Sequence, residues 1–512
     1  MLEGKNINLY LKKDGRKIVD NFSFTLQRGD RAVLIGEEGN GKSTLLKFLY
    51  DRRLVESYCE CEGSVLARGR LAYLPQSLPE RQGEQTLAAF FAGTEYYRNP
   101  GLLQTLGLSP EFLQSPQTLR SLSGGEKVKA QLARLLLDEP DVLLLDEPTN
   151  DLDIGALRWL ETFLAQSRLP VLFISHDETL IERTANVILH LEQLVRKTQC
   201  RISVARCPYQ AYLAHRRTTF DHQEQVARKQ RSDYDRQMEK WRQIHDRVEH
   251  EQRAISRQDP GGGRLLKKKM HAVQSMGKRF EREKENFLAL PQEEEAILTR
   301  FDEGIRLPAS KTVLDVSLDC LAVGNRCLAR HIRLLVAGGE HVGITGRNGV
   351  GKSTLLAHLW RLVRDRTDIV PAYMPQNYEE VLDFSQTPVR HLAENYAKDE
   401  VTRARTYMGS MRFTHEEMTG PIADLSGGQK AKILFLDMVL RGANVLLLDE
   451  PTRNFSPLSG PVVRAALARF GGTILSISHD RKYLAEVCHT VYELTEHGLR
   501  RTDAGHGPDE AG

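Results

Sequence analysis

Two stretches of this 512-residue chain carry residue types that can grip a phosphate group. The first, Gly36-Glu37-Glu38-Gly39-Asn40-Gly41-Lys42-Ser43-Thr44, follows a short apolar strand from Ala32 to Ile35. The second, Gly346-Arg347-Asn348-Gly349-Val350-Gly351-Lys352-Ser353-Thr354, follows Val342 to Thr345. Glycines at this spacing let backbone N–H groups close around phosphate oxygens where a helix begins. Lys42 and Lys352 are then the residues to reach β- and γ-phosphates, and the hydroxyls of Ser43 and Ser353 the ones to ligate Mg²⁺.

Each loop is followed by the same further residues in the same order. Asp141 to Leu145 reads as a buried strand ending in Asp146-Glu147, and Asn444 to Leu448 as one ending in Asp449-Glu450. The aspartate can hold Mg²⁺, and the glutamate can orient and deprotonate an attacking water, because phosphoryl transfer rests on positioning and charge stabilisation. Gln76 and Gln376 each follow a short strand, and His176 and His479 follow further strands that would bring them to a γ-phosphate. Ser123-Gly124-Gly125 and Ser426-Gly427-Gly428 open helices and offer additional anion sites. The two serines, two glutamates and two histidines are each 303 residues apart (123 and 426, 147 and 450, 176 and 479). The chain is an internal duplication.

Taken together, these loops, the Leu-Ser-Gly-Gly stretches, Leu144 to Asp153 and Ser175-His176-Asp177 resemble the ATPase cassette of ABC proteins. The resemblance implies ATP as substrate, with Mg²⁺. The residues it assigns to nucleotide are Gly36, Gly39, Gly41, Lys42, Ser43, Thr44 and Gln76, and Gly346, Gly349, Gly351, Lys352, Ser353, Thr354 and Gln376. Metal falls to Ser43, Gln76, Asp146, Ser353, Gln376 and Asp449, and catalysis to Glu147, Glu450, His176 and His479. It also implies that the cassettes close head to tail. Ser426 and Gly428 then complete the site of Lys42, and Ser123 and Gly125 complete that of Lys352, within one monomer. ATP holds the halves together and hydrolysis releases them. An aromatic near the N-terminus stacks on adenine in that family. Tyr10 is the matching residue, and its counterpart Cys320 leaves stacking in doubt. The loops after the two glutamates differ, Asn150-Asp151-Leu152-Asp153 against Arg453-Asn454-Phe455-Ser456-Pro457, so the sites are expected to communicate asymmetrically.

Between the cassettes lies a charged segment in which Tyr234, Trp241, Val248 and Ile255 recur every seven residues. After a break at Asp259-Pro260-Gly261-Gly262-Gly263, Leu266, Val273, Phe280 and Phe287 do the same. Such a narrow apolar stripe suits one partner helix, so the segment reads as an antiparallel hairpin of helices joined by a Pro-Gly turn. A helix of roughly 45 residues spans on the order of 65 Å. From Arg253 to Arg282 there are nine Lys/Arg against two acids. Arg257, Arg264, Lys267, Lys268 and Lys269 make the tip basic and are the candidates for contact with rRNA or tRNA, since phosphate contacts release counterions.

The expected architecture is therefore α/β: two P-loop ABC ATPase cassettes joined by a long antiparallel α-helical coiled-coil linker. Its boundaries are 1–205, 206–305 and 306–512, with the basic tip near 257–270. Twin cassettes on one chain, no apolar run of membrane-spanning length and a basic helical prong resemble the ABC-F group. That resemblance implies a cytoplasmic ATPase that binds the ribosome when closed on ATP and pushes its hairpin toward the P-site tRNA and peptidyl-transferase centre. The Pro451-Thr452-Arg453-Asn454-Phe455-Ser456 form is similar to members that protect translation from ribosome-targeting antibiotics. Two other readings share these motifs: an ATPase subunit energising a separate membrane transporter, and a DNA-associated ABC ATPase. The seven scattered cysteines are expected as buried or surface thiols, Cys59 and Cys61 being the only close pair.

Overall fold

The computed structural model describes residues 1–194, 199–254, 260–285, 287, 301, 304–324, 326–393 and 396–502. Each cassette is built on a six-stranded sheet. In the first the order is Leu71–Leu74, Val142–Asp146, Val171–Ile174, Arg31–Ile35, Val187–Leu194, Gln199–Ala205. In the second it is Pro371–Met374, Val445–Asp449, Thr473–Ile477, His341–Thr345, Thr490–Thr495, Gly498–Thr502. Five strands of each run parallel and the last is antiparallel to its neighbour. The central strands are continuous apolar runs, such as Val142-Leu143-Leu144-Leu145, because both sheet faces are covered. A parallel sheet collects its loops at the carboxyl ends of its strands, where ligands bind. Both phosphate loops, both Asp-Glu pairs and both histidines leave the sheets at that edge.

An antiparallel sheet flanks each core, formed by Leu2–Leu11, Lys17–Leu26 and Cys59–Ala67 in the first cassette and by Thr312–Val323 and Arg326–Ala337 in the second. The second hairpin corrects the expectation for its cysteines. Cys320 and Cys327 lie across the two strands, 6.1 Å apart at Cα, and are joined as a disulfide. Seven residues of separation hides a pair that strand pairing brings together. Cys59 and Cys61 are buried thiols.

The described residues divide into two compact units, 1–209 with 294–512, and 210–293. Both cassettes therefore belong to one unit. The other contains most of a 46-residue helix, Tyr209–Ala254, and the helix Pro260–Glu285. Their contacts run in opposite chain directions. Tyr234 packs edge-on to Phe287, Trp241 donates to the Val273 carbonyl at 2.7 Å, and Val248, Leu266 and Val273 form one buried cluster. Gly277 lies flat against the Trp241 ring, where a Cβ would come within 3.0 Å. The break is placed differently from the sequence expectation. Pro260 opens the second helix and Gly261 to Gly263 continue it, as suits a proline whose missing N–H falls in the first turn. Ile255, Arg257 and Asp259 lie outside the described residues.

Gly277→Leu is expected to overpack the Trp241 contact and destabilise the helical unit by about 1–3 kcal/mol. Limited proteolysis should then cut within 210–285 sooner than in the wild-type chain, while cassette fragments persist.

Candidate functional site

Gly36 and Gly346 start the phosphate loops with φ of +147° and +140°. A Cβ at either would strike a backbone carbonyl, that of Leu191 at 2.2 Å or of Leu494 at 2.5 Å, so no other residue fits. The loops end at Gly41 and Gly351, both left-handed, which lead into the helices Lys42–Tyr50 and Lys352–Val363. Lys42 Nζ curls back onto the carbonyls of Gly36 (2.8 Å) and Glu37 (3.0 Å). Lys352 does the same onto Gly346 (2.7 Å) and Arg347 (3.0 Å). On the first helical turn Ser43 Oγ donates to Asp146 Oδ1 at 2.8 Å, and Ser353 lines the second site with Asp449. Thr44 follows Ser43 on the same helix, and Thr354 lines the second site.

Beyond these pairs the two sites diverge. Tyr73 donates to the other Asp146 oxygen at 3.0 Å, whereas Asp449 Oδ2 is buried without a hydrogen-bond partner. Glu147 and Glu450 both sit in the left-handed region, φ 49° and 51°, strain that a surrounding site must hold in place. Glu147 is surrounded by donors. Gln76 Nε2 reaches it at 2.9 Å, Asn150 Nδ2 at 2.7 Å and His176 Nε2 at 3.3 Å. Burial opposes its charge, but the His176 and Asn150 bonds and the nearby Lys42 outweigh burial and hold the carboxyl at about 2. Glu450 has the His479 backbone N–H at 3.4 Å, and the His479 ring 3.9 Å away. Burial, reinforced by the adjacent Asp449 charge, pushes its carboxyl up to about 8. Arg453, which stands where Asn150 does, turns to Asp151 of the other cassette at 3.0 Å.

Each site is completed from across the chain. The helices Gly124–Leu136 and Gly427–Leu440 begin at Ser123 and Ser426, each of which closes a capping box with Glu126 or Gln429. At the second site Ser123 and Gly124 share a cavity of about 700 Å³ with Gly349, Gly351, Lys352, Ser353, Gln376, Asp449, Glu450 and His479. Gly124 lines it in place of the expected Gly125, which packs on Ala156. At the first site Ser426 lies close to Gly39, and the Gly428 N–H donates to the Glu38 carboxylate. Glu37 is half-buried beside it against Ser456 (2.8 Å), Ser459 and Lys432 (3.8 Å). His176 Nδ1 meets the Phe455 carbonyl at 2.7 Å. Sequence reasoning marked the loops holding Asn150 and Phe455 as different but gave no role to Glu37 or Glu38. Two adjacent acids inside a phosphate loop were the available signal, since they repel the anion that the loop is shaped to hold. Tyr10, expected to stack on adenine, has Lys17 Nζ over its ring at 5.2 Å. Arg264, Lys267, Lys268 and Lys269 are exposed on the helical unit.

Comparison with known proteins agrees with this architecture. The family profile described as ABC transporter matches residues 19–150 and 329–453, half of the chain. The chain is 28% identical over 533 residues to the probable ATP-binding protein YheS of Escherichia coli (strain K12), covering 95% of this chain and 77% of that one. It is 27% identical over 406 residues to ABC transporter F family member 5 of Arabidopsis thaliana, covering 77% of this chain and 54% of the plant protein, about half its length. Among solved structures, an archaeal ribosome recycling factor in complex with a ribosomal stalk protein aligns with a TM-score of 0.57 at 17% identity, covering 96% of this chain and 89% of that one. That likeness is one of fold. The chain belongs to the ABC transporter family, and is a twin-cassette ATPase of the ABC-F type. Among the described residues no helix is long and apolar enough to cross a membrane.

Glu38 holds the N–H group that a γ-phosphate would need, so Glu38→Gln is expected to lower the ATP concentration for half-maximal binding about three- to tenfold, the effect of removing one charge-assisted hydrogen bond. Equilibrium titration with a fluorescent ATP analogue in a Lys352→Ala background isolates that site. In a Glu450→Gln background, Asn150→Ala should slow steady-state ATP hydrolysis by roughly tenfold while leaving ATP binding unchanged, as measured by phosphate release.

Proposed function

We propose that this protein is a ribosome-associated ATPase whose cassettes close on two ATP molecules and reopen on hydrolysis. The observation that carries the reading is the exposed basic strip, Arg264 with Lys267 to Lys269, on a helical unit that interrupts a pair of composite ATP sites. One relative is an F-family ABC transporter, and a structural neighbour is a ribosome recycling factor; both support the reading. A polyanion such as rRNA or P-site tRNA is what that strip suits. In the finer form of the proposal the hairpin reaches toward the P-site tRNA and the peptidyl-transferase centre, and protects translation from ribosome-targeting antibiotics. The protein acts as a monomer in the cytoplasm.

The chemistry assigned to the sites follows from their geometry. Ser43 with Asp146, and Ser353 with Asp449, are hydroxyl and carboxylate donors that suit a hard cation, and the unpartnered Asp449 Oδ2 fits such a ligand. Gln376 lines the second cavity and Gln76 bonds Glu147, and their side-chain oxygens would be further ligands for the cation. Bound there, Mg²⁺ supplies charge neutralisation at the β- and γ-phosphates. Lys42 and Lys352 exchange loop carbonyls for phosphate oxygens. Glu147 and Glu450 orient the attacking water and accept its proton, and His176 and His479 face the γ-phosphate. Donors around Glu147 favour its ionised form, whereas burial and the Asp449 charge oppose ionisation of Glu450. Ser123 with Gly124, and Ser426 with Gly428, present helix N-termini to the charge that develops on the transferred phosphoryl group.

The Glu147→Gln/Glu450→Gln chain keeps nucleotide binding but lacks the general bases. It is expected to co-sediment with ribosomes in ATP, and to lose most of that association when Lys267, Lys268 and Lys269 become Ala. Sedimentation away from ribosomes under both conditions rejects the proposal, and recovery with membranes would favour a transporter subunit instead.

A further inference from the structure

The cassettes also meet away from the nucleotide. The helices Ile154–Gln166 and Glu178–Thr184 of the first correspond to Gly460–Ala468 and Arg481–Val487 of the second. On them, Glu161, Glu178 and Arg183 stand 303 residues before Arg464, Arg481 and Glu486, the same offset that relates the paired glutamates and histidines. Charge is inverted at all three positions. Arg464 grips Glu178 with both guanidinium nitrogens, at 2.7 and 3.2 Å, and the two side chains are only 3% and 6% exposed. Replacing each residue by its counterpart turns that contact into Arg481 with Glu161, which is also present. The supporting pairs within each cassette are images too: Arg183 with Glu161 at 2.9 Å, and Glu486 with Arg464 at 2.7 Å. Lys482 adds contacts to Glu178 at 3.1 Å and to Glu182.

In an interface with twofold character, each residue faces the image of its neighbour's partner. Two first cassettes would bury Glu161 against Glu178, and two second cassettes Arg464 against Arg481. Desolvated like charges cannot be sustained there. The nucleotide sites need a phosphate to complete them, whereas Glu161, Glu178 and Arg464 find their partners in protein. We propose that this charge-inverted cluster is a standing heterotypic joint. It is a surface whose partner is the unlike cassette of the same chain; it holds the halves together without ATP and excludes like-with-like pairing. ATP then closes a pair that is already hinged.

The test uses the full-length chain without nucleotide, with fluorophores on each cassette to report their separation, and ATP titration alongside. Arg464→Glu/Arg481→Glu should shift the population toward separated cassettes and raise the ATP concentration for half-saturation roughly tenfold. The complete exchange should return both readouts toward wild type. It combines Glu161→Arg, Glu178→Arg, Thr179→Lys, Glu182→Ala and Arg183→Glu with Arg464→Glu, Arg481→Glu, Lys482→Thr, Ala485→Glu and Glu486→Arg. If the reversed chain misfolds, Arg464→Gln/Arg481→Gln removes the attraction without burying like charges and is held to the same expectation. A folded reversed or neutralised chain that keeps the wild-type separation overturns the joint. So does a complete exchange that folds, with wild-type circular dichroism and melting, but stays apart.

Discussion

The constraint on which this structure depends is the need of a helix N-terminus for an anion. The helices that start after Ser123 and Ser426 point their unpaired N–H groups and positive dipole ends at the phosphate loop of the opposite cassette. Each serine caps part of that end, but Gly428 still has a free N–H to place. In the first site the Glu38 carboxylate takes it. In the second, a cavity of about 700 Å³ faces the helix start. The same geometric demand thus has a protein answer on one side and a space for a phosphate on the other.

From that difference the rest of the asymmetry follows. Asn150 can donate to Glu147 because it is short and neutral, while Arg453 in its place reaches past Glu450 to Asp151. His176 is tied to the facing loop through the Phe455 carbonyl, whereas both ring nitrogens of His479 lack a hydrogen-bond partner. Donors therefore lower the pKa of one glutamate, while burial and a neighbouring carboxylate raise that of the other. Buried ion pairs beyond the sites are costly to form but cost about 3–5 kcal/mol to break once one partner is lost. The Arg464–Glu178 pair accordingly contributes to which cassettes fit together more than to how stable each one is.

Much of the fold was legible because it rests on local signals. Apolar runs such as Leu143 to Leu145, each ending in Asp-Glu, declare buried parallel strands and what they deliver. Glycines at fixed offsets mark turns that only glycine can make. The seven-residue stripe from Tyr234 onward anticipated which faces of the two helices meet, since Trp241 and Val248 do pack on Val273 and Leu266. The same reading misplaced the glycine run, because a proline that stops one helix is equally suited to start the next. It also missed the Cys320–Cys327 disulfide, which depends on strand register rather than on spacing along the chain.

By itself, then, the sequence determined two duplicated ATPase cassettes, their Asp-Glu pairs and histidines, and a basic helical segment between them. These are consequences of residue type and spacing within one strand, loop or helix. Only the tertiary structure decided that Glu38 and not solvent meets Gly428, and that Asn150 and Arg453 point to different partners. It alone paired Glu161 and Glu178 with Arg481 and Arg464. Contacts between residues some 300 positions apart are set by how two folded bodies pack, and a charge or a hydroxyl carries no mark of which distant neighbour will satisfy it.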